Sequence, residues 1–372
     1  MKSLLTRYIS VFLLQRFVLL GAGILLLATS IDFTNRGEEI IADADGNLVD
    51  VVKYTVYGLP DLFSNLISIT ALVATLFVFI GLMRHSELIA MLSSGISQSQ
   101  LMIALLPAAI IIVGIHILLD NYFLPRSIFA LRDLEMMEYA PDNLDQSSEI
   151  WTRKGSDIVR IQKLNLRNEK MAGVIIFHRD EIGHLISRIS APEATLGNKS
   201  IILKNVTKAE PGSEFLTYLD EFVYEIDINI NTMVALMGKP RNISWFETRE
   251  LLKRPTLGNK PQFHYRIWLQ KKITAPLGTL ALIMLTVPLF QIFDRNANQF
   301  FVLMYGLTIG FLYVIIDSIV VALGEASLIS PFWAAWTPTF LLIVLISTFA
   351  FERELVKVRS PRNNKAVSGQ TK

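Results

Sequence analysis

Six stretches of this chain are each about twenty or more residues long and almost wholly apolar, and that limits what it can fold into. They span residues 9–31, 59–83, 100–124, 273–293, 299–323 and 329–351. A hydrocarbon core about 30 Å thick takes roughly 20 residues of helix to cross, and lipid offers no partner to an open backbone. The pattern therefore predicts six transmembrane helices. Pro107, Pro276 and Pro288 fall inside the third and fourth runs, where neighbouring helices can cover the carbonyls they free.

Charge is concentrated elsewhere. Of the 68 charged residues, 38 lie between Arg126 and Lys260, 19 of each sign, so the middle third reads as water-soluble and the flanking thirds as lipid-embedded. A net charge of +2 gives no support to nucleic-acid binding. The absence of cysteine excludes disulfides, thiolate zinc sites, iron–sulfur clusters and a cysteine nucleophile. Residues 1–31 imitate a signal peptide, but the apolar run is too long and no small-x-small cleavage pattern follows it, so it reads as a retained helix.

An even helix count places both termini on one side. Lys2, Arg7 and Arg16 at the start, Arg84 and Arg295 in the two inner loops, and Arg353, Lys357, Arg359, Arg362, Lys365 and Lys372 in the tail outweigh Arg36 and Lys53 in the short outer loops. By the positive-inside rule both termini are expected in the cytoplasm and the middle domain outside it. The division follows: 1–124 for helices one to three with a cytoplasmic helix at 85–95, 125–262 for the middle domain and linkers, 263–352 for helices four to six, and 353–372 for a basic tail.

Within the middle domain, Ile- and Val-rich stretches at 158–161, 173–177, 184–189, 200–206 and 222–230 alternate with turn chemistry such as Lys154-Gly155-Ser156-Asp157 and Pro211-Gly212-Ser213. That spacing predicts an antiparallel sandwich or jelly roll. A helix over 244–252 and a linker lead back to the membrane.

The segment from Arg84 to Gly95 is the most informative short run. Ser86 is placed to cap a helix, and Glu87 suits its positive end. Leu88, Met91 and Leu92 recur at helical spacing, and Gly95 can close the helix in a left-handed conformation. A short amphipathic helix in a cytoplasmic loop either packs on its own bundle or headgroups, or seats in a groove of a cytoplasmic ATPase with Glu87 paired to a basic residue.

The run Ser86-Glu87-Leu88, Met91, Ser94-Gly95 resembles the coupling segment of the LptF/LptG permeases of lipopolysaccharide export. Arg7-Tyr8-Ile9, Pro125, the six-helix layout, a β domain of about 140 residues, and Gly310-Phe311, Tyr313 and Asp317 in helix five carry the similarity along the chain. Of the two branches, the coupling segment and helix five look more like LptG. The resemblance implies an ATP-driven exporter in which this chain pairs with an LptF-like permease, binds an LptB-like ATPase dimer and contacts an LptC-like accessory protein. It would pass lipopolysaccharide to a periplasmic bridge through a β-jellyroll, with ATP bound by the partner and no cofactor of its own. Arg84, Ser86, Glu87, Leu88, Met91 and Gly95 would then form the coupling site. An LptF-like subunit and a non-transporting membrane-anchored scaffold or sensor are the alternatives.

Arg36 and Arg132 flank the outer ends of helices one and three, where two guanidinium groups can clamp phosphates or snorkel to the interface. The family places basic residues that face lipid phosphates at corresponding positions. Arg126 lies nearby without a clear counterpart, and Glu135 stands where a second family arginine falls. Asp32, Asp61, Asp120 and Asp317 lie in or beside apolar helices, where each needs a partner, a cavity or water. Phe311 and Tyr313 are candidates to line an acyl-chain cavity.

Enzyme readings find little. His178, Asp180, Glu181 and His184 crowd a turn rather than a built metal site, and Gly238-Lys239 runs into Pro240, so no phosphate loop is present. The chain reads as a transport subunit with no catalytic site.

Overall fold

The structure is a computed structural model, and it describes residues 2–42, 47–133, 150–165, 170–180, 182–197, 199–212, 215–226, 240–253, 261–292 and 299–359. Its helices are α1 (Lys2–Ala42), α2 (Leu48–Arg84), α3 (Glu87–Ser93), α4 (Gln98–Leu118), α5 (Leu124–Asp133), α6 (Trp245–Lys253), α7 (Gln262–Ile292), α8 (Gln299–Glu325) and α9 (Pro331–Arg359). A π turn, Leu119–Phe123, joins α4 to α5 without a break. Among the described residues, six spans are long and apolar enough to cross a membrane. They are the six expected from the apolar runs, with an antiparallel β domain inserted between the third and fourth.

Several helices outlast their apolar runs. α2 begins at Leu48, where Asn47 Oδ1 accepts from the amides of Val49 (2.8 Å) and Asp50 (3.1 Å), the bonding expected of a capping side chain. α1 continues to Ala42 because Ile40 packs with Val51, Tyr54 and Leu131 in a small core of its own. Burial of that face offsets the polar sequence around it.

The chain forms two compact units. The first comprises Met1–Leu26, Asn65–Ile117 and Ile273–Lys372. Its interior is built on Leu13, Ile67, Leu72, Phe79, Leu105 and Ile112. Two buried hydroxyls are satisfied within their own helix, Thr70 on Leu66 O (2.9 Å) and Thr75 on Ala71 O (2.7 Å). Ser10 Oγ crosses between helices to Ala104 O (2.9 Å). A chain of polar groups links three helices: Ser68 Oγ lies 2.7 Å and His116 Nδ1 2.9 Å from Thr279 Oγ1. Such bonds, and close packing over small residues, take the place of a hydrophobic driving force inside lipid. Gly278 shows how close: a Cβ there would collide with the Tyr313 hydroxyl.

The second unit comprises Leu27–Ser64 and Leu118–Lys272. Its described residues form a six-stranded antiparallel sheet in sequential order: β1 (Ile150–Lys154), β2 (Asp157–Asn165), β3 (Lys170–Arg179), β4 (Leu185–Gly197), β5 (Ser200–Ala209) and β6 (Thr217–Glu225). β1 and the start of β6 were not foreseen, and residues 227–230 of the last expected strand lie outside the described residues. Val159, Ile161, Val174, Ile176, Ile201 and Leu203 point to one buried face, as period-two alternation requires. The sheet curls on itself. Asp157 on β2 takes a bond from the Tyr224 hydroxyl on β6 (2.9 Å), from His178 Nδ1 (2.7 Å) and from the Arg179 amide (3.2 Å). Burial and the Asp157 carboxylate push the Tyr224 hydroxyl well above the usual phenol range. The concave side holds a cavity of about 350 Å³ lined by Ile176, Ile189, Val206, Leu219 and Phe222, with His178 and Lys208 among its polar walls. His184 pairs instead with Asp180 (3.1 Å).

α6 begins on a capping box. Ser244 Oγ accepts from the Glu247 amide (3.3 Å), and Glu247 Oε2 reaches back to the Ser244 amide (3.2 Å).

Candidate functional site

α3 is a helix of seven residues between two membrane helices. Its C-terminus closes as the sequence suggests: Gly95 has φ +90°, its amide reaches Leu92 O (3.2 Å), and Ile96 N reaches Met91 O (3.1 Å). This paired bonding is a Schellman motif, for which glycine in the left-handed region is suited. The N-terminus differs from the expectation. Ser86 occupies the capping position but is itself left-handed (φ 59°) and makes no side-chain bond to α3. Its amide bonds Met83 O (3.0 Å), so Ser86 ends α2 rather than capping α3.

Leu88 is buried, 4 % exposed, while Arg84, on the last turn of α2, stays exposed. Glu87 is half-buried and accepts from the Tyr8 hydroxyl of α1 (2.9 Å). Beside this bond lies an apolar groove of about 730 Å³ lined by Leu4, Tyr8, Met91, Ile96, Gln100 and Ile103. Sequence reasoning saw Tyr8 and Glu87 separately and did not join them, because nothing in either segment names a partner 79 residues away.

In the second unit, Arg36 Nε sits 3.6 Å from Asp32 one turn back. Tyr54 hydrogen-bonds the same carboxylate. Arg126 is exposed, its guanidinium 3.5 Å above the Tyr122 ring, a stacking that holds the cation without neutralising it. Arg132 lies in the last turn of α5, and its side chain is outside the described residues.

A second charged group, missed from the sequence, lies in the same unit. Arg241 follows Pro240 in a short 3₁₀ turn, Pro240–Asn242. It pairs with Asp61 (3.2 Å) and donates to Ser64 Oγ (3.3 Å). Ser64 in turn donates to the Asp120 carboxylate. Lys272 donates to the carbonyls of Asp120 and Arg241, each at 2.7 Å. Three of the four acids flagged at apolar helices thus have named partners: Asp32 with Arg36, Asp61 with Arg241, Asp120 with Ser64. The only advance signal was the cost of leaving such acids unpaired.

On helix five, Phe311 is exposed at 54 %, whereas Tyr313 is 8 % exposed and lies against Gly278. Of the two, Phe311 is exposed and Tyr313 is buried within the chain.

A family model described as the lipopolysaccharide export system permease LptF/LptG matches residues 7–352. The chain belongs to that family. A curated relative, the lipopolysaccharide export system permease protein LptG of Haemophilus influenzae, is 22% identical over 314 residues, 79% of this chain and 84% of the relative. The LptF/LptG assignment makes the chain a multi-pass transmembrane permease of the lipopolysaccharide export system. It also agrees with an inserted jellyroll-like β domain.

Proposed function

We propose that this permease is the LptG-like subunit of an ATP-driven exporter that extracts lipopolysaccharide from the inner membrane and hands it to a periplasmic bridge. An LptF-like permease is its membrane partner, an LptB-like ATPase dimer binds ATP and seats α3, and an LptC-like protein joins the assembly. The observation that carries the reading is α3 itself. It is a short helix with a rigid end at Gly95, an acid half in water at Glu87, and an open apolar groove beside both. On this reading Arg36, Arg126 and Arg132 meet the lipid phosphates, and exposed Phe311 contributes to the acyl-chain cavity. Tyr313 supports that wall from inside the bundle.

Affinity purification from native membranes tests the assignment: an ATPase, a second permease and lipopolysaccharide should come down in stoichiometric amounts. In the same preparation, Arg36→Glu with Arg132→Glu should cut the retained phosphorylated lipid without dispersing the complex. Each charge-assisted bond lost is worth about 1.5–3 kcal/mol, at least about tenfold apiece, so the fall should reach about a hundredfold. Unchanged lipid content returns both arginines to interface snorkelling.

The proposal also places both termini in the cytoplasm and the β domain in the periplasm. A reporter active only outside the cytoplasm should therefore work when fused after Asn198 and stay silent at the C-terminus. The opposite pattern rejects the orientation.

A further inference from the structure

Lys272 on α7 is 4 % exposed, yet nothing in the permease reading uses its charge. Its ammonium is spent on two backbone carbonyls, those of Asp120 and Arg241. The reason lies in the backbone of the continuous helix formed by α4, the π turn and α5. At 119–123 that helix widens into a π turn, in which the Leu124 amide reaches back five residues to Leu119 O. In the same register the carbonyl of Asp120 would take its bond from the amide of residue 125. Residue 125 is proline, which has no N–H to give. Asp120 is 8 % exposed, and a buried carbonyl left without a donor is costly. Lys272 supplies the donor that Pro125 lacks.

The same ammonium fastens the Pro240–Asn242 turn through Arg241 O. Asn121, also in the π turn, accepts from the Trp245 amide at the start of α6 (3.1 Å). Ser64 of α2 holds the Asp120 side chain. The π turn is therefore gripped from three other elements. What it aims is α5, which follows directly and carries Arg126 and Arg132.

We infer that Lys272 is a positioning residue for lipid capture: it replaces the amide missing at Pro125, locks the π turn and so sets the direction of α5. The lipid consequence rests on the reading above, in which the α5 arginines meet phosphorylated lipid. The lock itself does not.

Because the chain has no cysteine, spin labels at Ala130→Cys on α5 and Glu250→Cys on α6 report the distance between these helices in the purified complex. The native background should give one narrow distribution. Lys272→Met should broaden or shift it, and adding Pro125→Ala, which returns an amide at 125, should narrow it again. A lysine that only fills space would not respond to residue 125. An unchanged distribution in Lys272→Met, or no recovery in the double variant, overturns the inference. If Lys272→Met fails to accumulate in the membrane, accumulation of the double variant becomes the readout, and equal loss in both overturns it. Retained phosphorylated lipid, measured on the same samples, should fall severalfold in Lys272→Met and recover in the double variant. A distance that moves and recovers while lipid content never changes rejects the lipid role of α5 and leaves the lock standing.

Discussion

Glu87→Lys is expected to abolish co-purification of the ATPase and export while the chain still inserts in the membrane. Glu87 lies in the first turn of α3 and uses one acceptor site on the Tyr8 hydroxyl. If it served only its own helix end, Glu87→Ala would cost about 0.3–1 kcal/mol, too little to dissolve a complex. If it pairs with a basic residue of the ATPase, truncation strands that cation at a buried interface, where losses of about 2–5 kcal/mol are typical. Lysine adds repulsion to the loss. Tyr8→Phe separates the two cases, since it removes the bond within the chain and leaves the carboxylate free to reach a partner. It should leave the ATPase bound. A Tyr8→Phe variant as damaged as Glu87→Lys would show that the acid serves to hold α3 against α1. Normal ATPase recovery with Glu87→Lys would reject the coupling role altogether.

Asp61→Ala should produce the largest loss of stability among single changes outside the α3 region. The Asp61–Arg241 pair has side chains only 15% and 19% exposed, so water screens it weakly. Removing the acid leaves a mostly buried guanidinium that still touches Ser64 Oγ but has lost its counter-ion. Breaking such pairs typically costs about 3–5 kcal/mol, much more than their net contribution when intact. Thermal unfolding followed by tryptophan fluorescence is suited to the test, because Trp245 is tied to Asn121 close to this cluster. The reversed pair, Asp61→Arg with Arg241→Asp, should recover part of the loss. A melting curve for Asp61→Ala that overlays the native one rejects the pair as a structural element.

Much of the architecture was legible before any coordinates. The bilayer imposes its constraint locally: a run of apolar residues either reaches the needed length or does not. The β domain announced itself through turn residues between Ile- and Val-rich stretches, and its edge at β1 was missed because Trp151, Arg153 and Lys154 do not look like a buried strand. The Gly95 closure and the start of the helix at 244 were also readable, since both depend on residues within six positions.

Ser86 is a residue whose type did not decide its role. Its residue type suits a cap, but the tight exit from α2 forces it into the left-handed region, and backbone geometry decided against side-chain preference.

Which charges meet was settled only by packing. Lipid makes an unpaired Asp61 or Asp120 expensive, so the need for a partner was visible from residue type and position alone. The partners come from far along the chain: Tyr8 lies 79 residues from Glu87, Arg241 177 from Ser64, and Lys272 152 from Asp120. Pro125 created an unmet carbonyl that any reader of the sequence could locate once the π register was known. Sequence periodicity carries information over a few turns of helix. The answering donor depended on how α7 and the Pro240–Asn242 turn pack against helix three, and that is a property of the folded chain.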